Sequence, residues 1–429
     1  MKIAVSSDLP LPLSAALQNV PKSATLAINE KSKQLQLEGK DIIRLGLGQS
    51  PFPVPDIMTQ NLKTNASAKD YMAVQGFLPL REAIASFINR TELLNRTAEN
   101  IIIGPGSKEL LFGLQMVLNC DLILPAPSWV SYEPQARLLG KKVHWLPCSA
   151  KDGWKLTAQT LEKHCQSNST EQQLLILNSP NNPSGTCFAE NELKALAEIA
   201  AKYKLIVLSD EIYSELHYQG LHQSIARYYP QGTIISNGIS KWAGAGGWRL
   251  GFFSFPERLK QVLDLMVVLA SETFTSVSAP IQMASICAFE ESPEMQNYII
   301  ACRKIMQSIG SNFSRLLNQQ QIAVVEPEGA FYNLADFSSY RQKLMSKGIN
   351  NDLELSQKLL ENTGVAGLPG KDFGLQQGLI MRLAFVDFDG SKLLQQVLSN
   401  PDTTLNTETD ELCRLFSAAE RMGNWLQDL

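Results

Sequence analysis

The run Ser236-Asn-Gly-Ile-Ser-Lys-Trp-Ala-Gly-Ala-Gly-Gly-Trp-Arg-Leu-Gly251 decides how the rest of this chain is read. Thr233–Ser236 predicts a strand; Lys241 then heads a glycine-rich loop, with Arg249 eight residues on. A lysine that forms a Schiff base needs an enclosed pocket in which its amine can lose a proton. A guanidinium near by suits a phosphate dianion, because its planar fork donates two parallel hydrogen bonds. Amine and phosphate anchor together describe a pyridoxal phosphate site better than any nucleotide site. Taken alone, the run reads equally well as a surface lysine beside a flexible loop, so the remaining sequence must choose.

Composition narrows the class. A chain of 429 residues can bury a large core and is expected to form two lobes. Its 44% hydrophobic and 19% charged content is that of an ordinary globular enzyme. A net charge of −4, with dispersed lysine and arginine, leaves no electrostatic footprint for nucleic acid. The seven cysteines are scattered, odd in number and never spaced Cys-x-x-Cys, which favours free thiols in a reducing compartment. The four histidines, at 144, 164, 217 and 222, make no metal-ligand pair, so no metal is expected. Asp8, Pro10 and Pro12 break the N-terminal apolar run, a poor signal peptide. No apolar stretch approaches the ~20 residues of a membrane helix. A cytoplasmic protein is expected.

From residue 100 onward apolar strand-like runs alternate with amphipathic helices. Ile101–Ile103 leads through Gly-Pro-Gly-Ser-Lys into a helix at Glu109–Leu118, and Leu122–Leu124 precedes Pro125-Ala-Pro-Ser-Trp129. Leu174–Leu177 runs into the turn-rich Asn178-Ser-Pro-Asn-Asn-Pro-Ser-Gly185. A helix is predicted over Glu190–Lys202, then a buried strand at Leu205–Leu208 ending at Ser209-Asp-Glu-Ile-Tyr213. This rhythm argues an α/β fold with a mainly parallel central sheet flanked by helices, whose ligands bind at the carboxyl ends of strands. A helix near Pro293–Leu317 and strands at Ile322–Val325, Ala330–Leu334 and Leu379–Phe385 follow, with a last amphipathic helix after the polar 401–409 loop. The expected division is a large domain over 51–310 and a smaller α+β domain from both chain ends, 1–50 and 311–429.

Together these residues resemble the fold type I pyridoxal phosphate enzymes, specifically the class I/II aminotransferases, from about Ile43 to Phe388 and with the motifs in family order. The resemblance implies that Lys241, preceded by Ser240, holds pyridoxal 5'-phosphate as a Schiff base and moves the proton. It makes Asp210 the partner of the ring nitrogen, although a lone aspartate after a strand also reads as a helix cap. Tyr213 and Asn182 match residues that bond the phenolic oxygen, and Trp129 the aromatic that stacks on the ring. Gly106, Ser107 and Lys108 resemble the phosphate loop opening a helix, while the third glycine of a dinucleotide fingerprint is replaced by Glu109. Tyr71 matches a tyrosine that reaches the phosphate of a neighbouring subunit, which implies a homodimer with shared sites. Arg382 matches the clamp of the amino acid α-carboxylate, and Gly48 a backbone contact beside it, where Asn182 also meets substrate. One departure stands out: Gly238 replaces a serine that many relatives carry three residues before the lysine.

The resemblance implies a ping-pong transfer of an amino group from an L-amino acid to a 2-oxo acid. A lyase on the same scaffold, a carbon–sulfur β-lyase or one like aminocyclopropane carboxylate synthase, shares the cofactor shell, and no residue named excludes it. A transcription regulator with such a domain would need a basic DNA-binding segment, and the ~40 residues before the fold are too few and insufficiently basic. Acidic substrates call for a second cation, for which Arg44, Lys22 and Lys33 are candidates.

Overall fold

The computed structural model describes Leu17, residues 24–168 and residues 172–429. A short strand β1 (Ile43–Arg44) precedes the strands β2 (Ile101–Gly104), β3 (Asp121–Ala126), β4 (Val143–Pro147), β5 (Gln173–Asn178), β6 (Ile206–Asp210), β7 (Thr233–Gly238) and β8 (Gly251–Ser254). The last seven form one sheet in the order β2-β8-β7-β6-β5-β3-β4. Every pairing from β7 to β4 is parallel, while β8 runs antiparallel to both its neighbours. Strands β5, β6 and β7 are buried at every residue, which is why they read as near-continuous apolar runs.

Helices cover both faces because side chains alternate across a strand. In β6, Val207 packs with Leu193, Leu196 and Ala197 of the helix Glu190–Lys202. Its neighbours Ile206 and Leu208 face the opposite layer, with Leu110, Leu114, Leu263 and Met266 from the helices Ser107–Val117 and Lys260–Glu272. The expected helix at Glu190–Lys202 is found at those bounds. Strand β6 runs through to Asp210 instead of stopping at Leu208.

The strands β9 (Ala323–Val324), β10 (Tyr332–Asp336), β12 (Leu368–Pro369) and β13 (Ile380–Ala384) make a separate antiparallel sheet, and β11 (Val365–Ala366) pairs in parallel with β1. Register sets Arg382, in the middle of β13, between Leu334 and Leu368. The helix Pro293–Gln319 passes straight through residue 310, and its buried face (Ile305, Ile309, Phe313) joins one core cluster with Ile43 near one chain end and Leu426 near the other. Among the elements that went unread in the sequence are β4, β8 and a helix over Ala24–Leu37.

Candidate active site

Lys241, Asp210, Asn182, Ser240, Arg249 and Trp129 line one cavity of about 460 Å³ at the carboxyl ends of the parallel strands. Lys241 follows β7 and donates from Nζ to the Gly48 carbonyl at 2.6 Å. Burial, and then the positive charge of Arg382, pull its ammonium down to about 8, although Asp210 opposes the shift. The amine is therefore neutral far more readily than a surface lysine.

Asp210, the last residue of β6, is buried and accepts the Tyr132 hydroxyl at 2.6 Å on Oδ2. Its Oδ1 lies 3.5 Å from the Ser236 hydroxyl and 3.4 Å from the Ile212 amide. Burial raises this carboxyl to about 6 in spite of those donors. No cation donates a hydrogen bond to this buried carboxylate among the described residues, and a protonated ring nitrogen would supply one. Its backbone neighbour Glu211 contributes a smaller like-charge push.

Tyr213 and Asn182 meet at a residue absent from the sequence reading, Tyr332. The Tyr213 and Tyr332 hydroxyls are 2.6 Å apart, and Asn182 Nδ2 donates to Tyr332 at 3.4 Å. Arg382 is buried behind them, outside the cavity wall, with its Nη1 donating to Asn182 Oδ1 at 3.3 Å and Nη2 to the Gly46 carbonyl. Its Nε has no partner, an unspent donor on a buried cation. Gly48 lies on the cavity wall, but the close approach that its bare Cα permits is used by the Tyr332 hydroxyl, which would stand 2.1 Å from a Cβ there.

Another part of the cavity wall joins a helix start to an arginine. The helix Ser107–Val117 opens at Gly106 with no side-chain cap, so its first amides face outward unpaired. Gly106 has φ +87, and a Cβ on it would fall 2.2 Å from Arg249 Nη2, so the cradle tolerates only glycine. Arg249 is exposed, held by the Gly246 and Pro105 carbonyls at 3.0 and 3.2 Å. Lys108 is exposed, its Nζ 5.2 Å from the centre of the Trp129 ring. Gly238 now has a reason: a Cβ there would lie 2.7 Å from the Leu250 carbonyl, so the β7–β8 backbones exclude serine.

Other residues stand apart. Tyr71 is 91% exposed and is not among the residues that line the cavity. Arg44 is engaged by Asp387 at 3.6 Å, Lys33 is exposed on the helix Ala24–Leu37, and Lys22 lies outside the described residues.

The model of the family described as aminotransferase class I and II matches residues 40–387. The chain belongs to this family. Among curated class I and II aminotransferases it is 32% identical to an aspartate aminotransferase of Bacillus sp. (strain YM-2), over 84% of this chain and 92% of that one. An asparagine–oxo-acid transaminase of Streptococcus mutans is 30% identical over 87% and 94% of the two chains. The solved aspartate aminotransferase of Thermus thermophilus with maleate superposes with a TM-score of 0.80 at 28% identity, covering 92% of this chain and 99% of that one. This class I/II member is a pyridoxal phosphate-dependent aminotransferase of fold type I. Its cleft fits the cofactor: a neutralisable amine, a buried carboxyl raised by burial, and an uncapped helix start beside an arginine.

Tyr132, Asn178 and Tyr332 are the site residues that sequence reasoning passed over. Tyr132 lies three residues beyond Trp129 in the same motif, and Asn178 ends β5 and donates to the Asp210 carbonyl at 2.8 Å. A polar residue at the carboxyl end of a buried strand was the available signal for Asn178. A tyrosine next to apolar residues gives none, because it reads as core.

Proposed function

We propose that this enzyme moves the amino group of a short acidic L-amino acid to a 2-oxo acid by a ping-pong mechanism centred on Lys241. The observation that carries the reading is the Lys241 amine, held near 8 at the foot of the cavity within the field of both Asp210 and Arg382. Transfer is preferred to the lyase outcome because the relatives reported above carry transaminase names. Those names, aspartate and asparagine, and the exposed Lys108 ammonium over Trp129 support an acidic side chain at the far end.

In this reading Lys241 would hold pyridoxal 5'-phosphate through Nζ, Asp210 would meet its ring nitrogen, and Tyr213 and Asn182 its phenolic oxygen. Ser240, Arg249 and the amides of Ser107 and Lys108 would take the phosphate, with Trp129 against the ring; the Gly106 amide is spent on the Gly104 carbonyl at 2.7 Å, so Gly106 serves by its backbone shape alone. When bound, the cofactor supplies an electron-withdrawing ring that eases loss of the substrate Cα proton. Lys241 Nζ, neutral above about 8, takes that proton and returns it. Arg382, behind Tyr332 and Asn182, would hold the α-carboxylate through its unspent Nε and by giving up its bond to Asn182, fixing which bond at Cα faces the amine. Mixing the loaded enzyme with each amino acid in turn and following the cofactor's absorbance tests the function. Aspartate and glutamate should convert it fastest, and failure of every amino acid to do so would reject transfer.

Asp210→Asn should keep the cofactor and lose ~10²-fold or more in rate, since a neutral amide cannot stabilise a ring proton. Without the cofactor, burial holds the Asp210 carboxyl up at about 6, and a protonated ring nitrogen beside it would pull it back down, so wild-type activity should fall only as pH drops below that value. The variant's pH profile should lack that acid limb, and a retained limb would mean that another group titrates there. The amine side runs in the same direction. Cofactor capture by the cofactor-free enzyme, followed by absorbance, should accelerate as pH rises through about 8, because only the unprotonated amine attacks.

We also infer a homodimer with shared sites. Support comes from Tyr71, 91% exposed, and from the exposed Met116, Leu265 and Val268 on the helices Ser107–Val117 and Lys260–Glu272. Tyr71→Phe should weaken cofactor retention by about 0.5–1.5 kcal/mol, or up to ~3 for a bond to a charged phosphate. Heterodimers of Tyr71→Phe and Lys241→Ala subunits should regain activity, since one site carries both defects and the other neither. Recovery of nothing on mixing would reject the shared site. The separate β9–β10–β12–β13 sheet supports a smaller second domain, although the helix Pro293–Gln319 crosses the expected boundary at 310, and the seven free thiols support a cytoplasmic setting. Among the described residues no helix is long and apolar enough to cross a membrane.

A further inference from the structure

Tyr332, at the head of β10, is fully buried, yet its hydroxyl is spent inside the site. A phenylalanine would fill the same space without a polar atom to satisfy, so the hydroxyl asks for an explanation. It shares a 2.6 Å bond with Tyr213 and accepts from Asn182 Nδ2 at 3.4 Å. The ring of the same residue lies against Arg382, with the guanidinium carbon 4.8 Å from its centroid, and Phe373 packs on that carbon at 5.2 Å. Asn182 closes the circuit by accepting from Arg382 Nη1 on its Oδ1 at 3.3 Å.

We propose that Tyr332 is a positioning residue that links the carboxylate clamp at Arg382 to the Tyr213–Asn182 pair at the other end of the reacting groups. The inference rests on the roles given above to Arg382, Tyr213 and Asn182. A carboxylate arriving at Arg382 competes with Asn182 Oδ1 for the guanidinium. The amide then stays oriented only because its Nδ2 is tied to Tyr332. The two rings meanwhile hold the guanidinium in one plane before substrate arrives, which lowers the ordering cost of binding. Filling the clamp thereby reaches Tyr213 and Asn182 through one hydroxyl.

The test uses the full-length, cofactor-loaded enzyme and maleate, a dicarboxylate that cannot react. Affinity is read by calorimetry, and coupling by the change that maleate causes in the pH midpoint of the cofactor's absorbance. Tyr332→Phe keeps the ring and removes the hydroxyl. It should bind maleate about five- to tenfold more weakly, the scale of one hydrogen bond, and lose most of the midpoint change. Cofactor retention should stay within about twofold. Tyr332→Ala, which also removes the ring, should bind more weakly still. Maleate affinity within about twofold of wild type, with an undiminished midpoint change in Tyr332→Phe, would overturn the link. Arg382→Ala separates the two layers of argument. If that variant still binds maleate, the clamp reading itself falls and the link with it. If it loses maleate while Tyr332→Phe does not, the link alone is wrong.

Discussion

Lys241→Ala turns over at least ~10⁴-fold more slowly than the parent while keeping its fold. The magnitude follows from two duties vested in one atom: general acid–base transfer alone contributes 10²–10⁴-fold, and the covalent hold on the cofactor goes with it. The fold survives because Nζ makes one hydrogen bond, to the Gly48 carbonyl, and the side chain borders the cavity rather than the core. Single-turnover absorbance measures the rate, and circular dichroism the fold. Borohydride reduction of the parent should leave the adduct on Lys241 in a peptide map. An adduct on any other lysine would remove the basis for the mechanism.

Arg382→Ala raises KM for the amino acid by about 10³-fold and leaves the cofactor bound. Truncating one partner of a buried, hydrogen-bonded charge pair costs roughly 2–5 kcal/mol, and about 1.4 kcal/mol is a factor of ten. Two further effects act in the same direction. The variant strands Asn182 Oδ1, which now accepts from Nη1, and leaves a void between Tyr332 and Phe373. Because Arg382 is at the centre of β13, Arg382→Lys serves as the companion. It keeps the charge and loses the planar fork, so its KM should fall between parent and alanine. Loss of cofactor with an unchanged KM would mean that Arg382 serves the phosphate or the fold and not the substrate. Its removal should also let the Lys241 amine titrate higher, since Arg382 is the largest charge holding it down.

The parallel sheet was legible because β5, β6 and β7 are buried on both faces and so carry unbroken apolar runs. The residues just beyond those runs, Asn182, Asp210 and Lys241, stood out as polar groups where buried strands end. Strand β8 was hidden by being four residues long and bounded by Gly251, where β-propensity is low. Strand β4 lies at the sheet edge with only Leu146 fully buried, so its pattern is weak. Residues 332–336 form β10, two positions beyond the expected strand, because Ala330 takes positive φ and breaks the run. Tyr332 was out of reach for another reason. Its part in the site depends on β10 lying beside β13, a pairing between residues far apart in sequence that no local window contains.

The reversed direction of β8 has a geometric consequence for the two residues with which the chain was first read. Were β8 parallel to β7, the residues just ahead of it would emerge at the far edge of the sheet, a strand length from Lys241. Reversal turns the segment between Gly238 and Gly251 into the bend of one hairpin, whose register is pinned where those two glycines face each other. The separation of amine and guanidinium is thus set by backbone pairing rather than by side-chain packing, Lys241 standing three residues after one pinned glycine and Arg249 two before the other. A one-residue slip in the β7–β8 register, and not a longer bend, would carry the anion anchor out of step with the lysine that it serves.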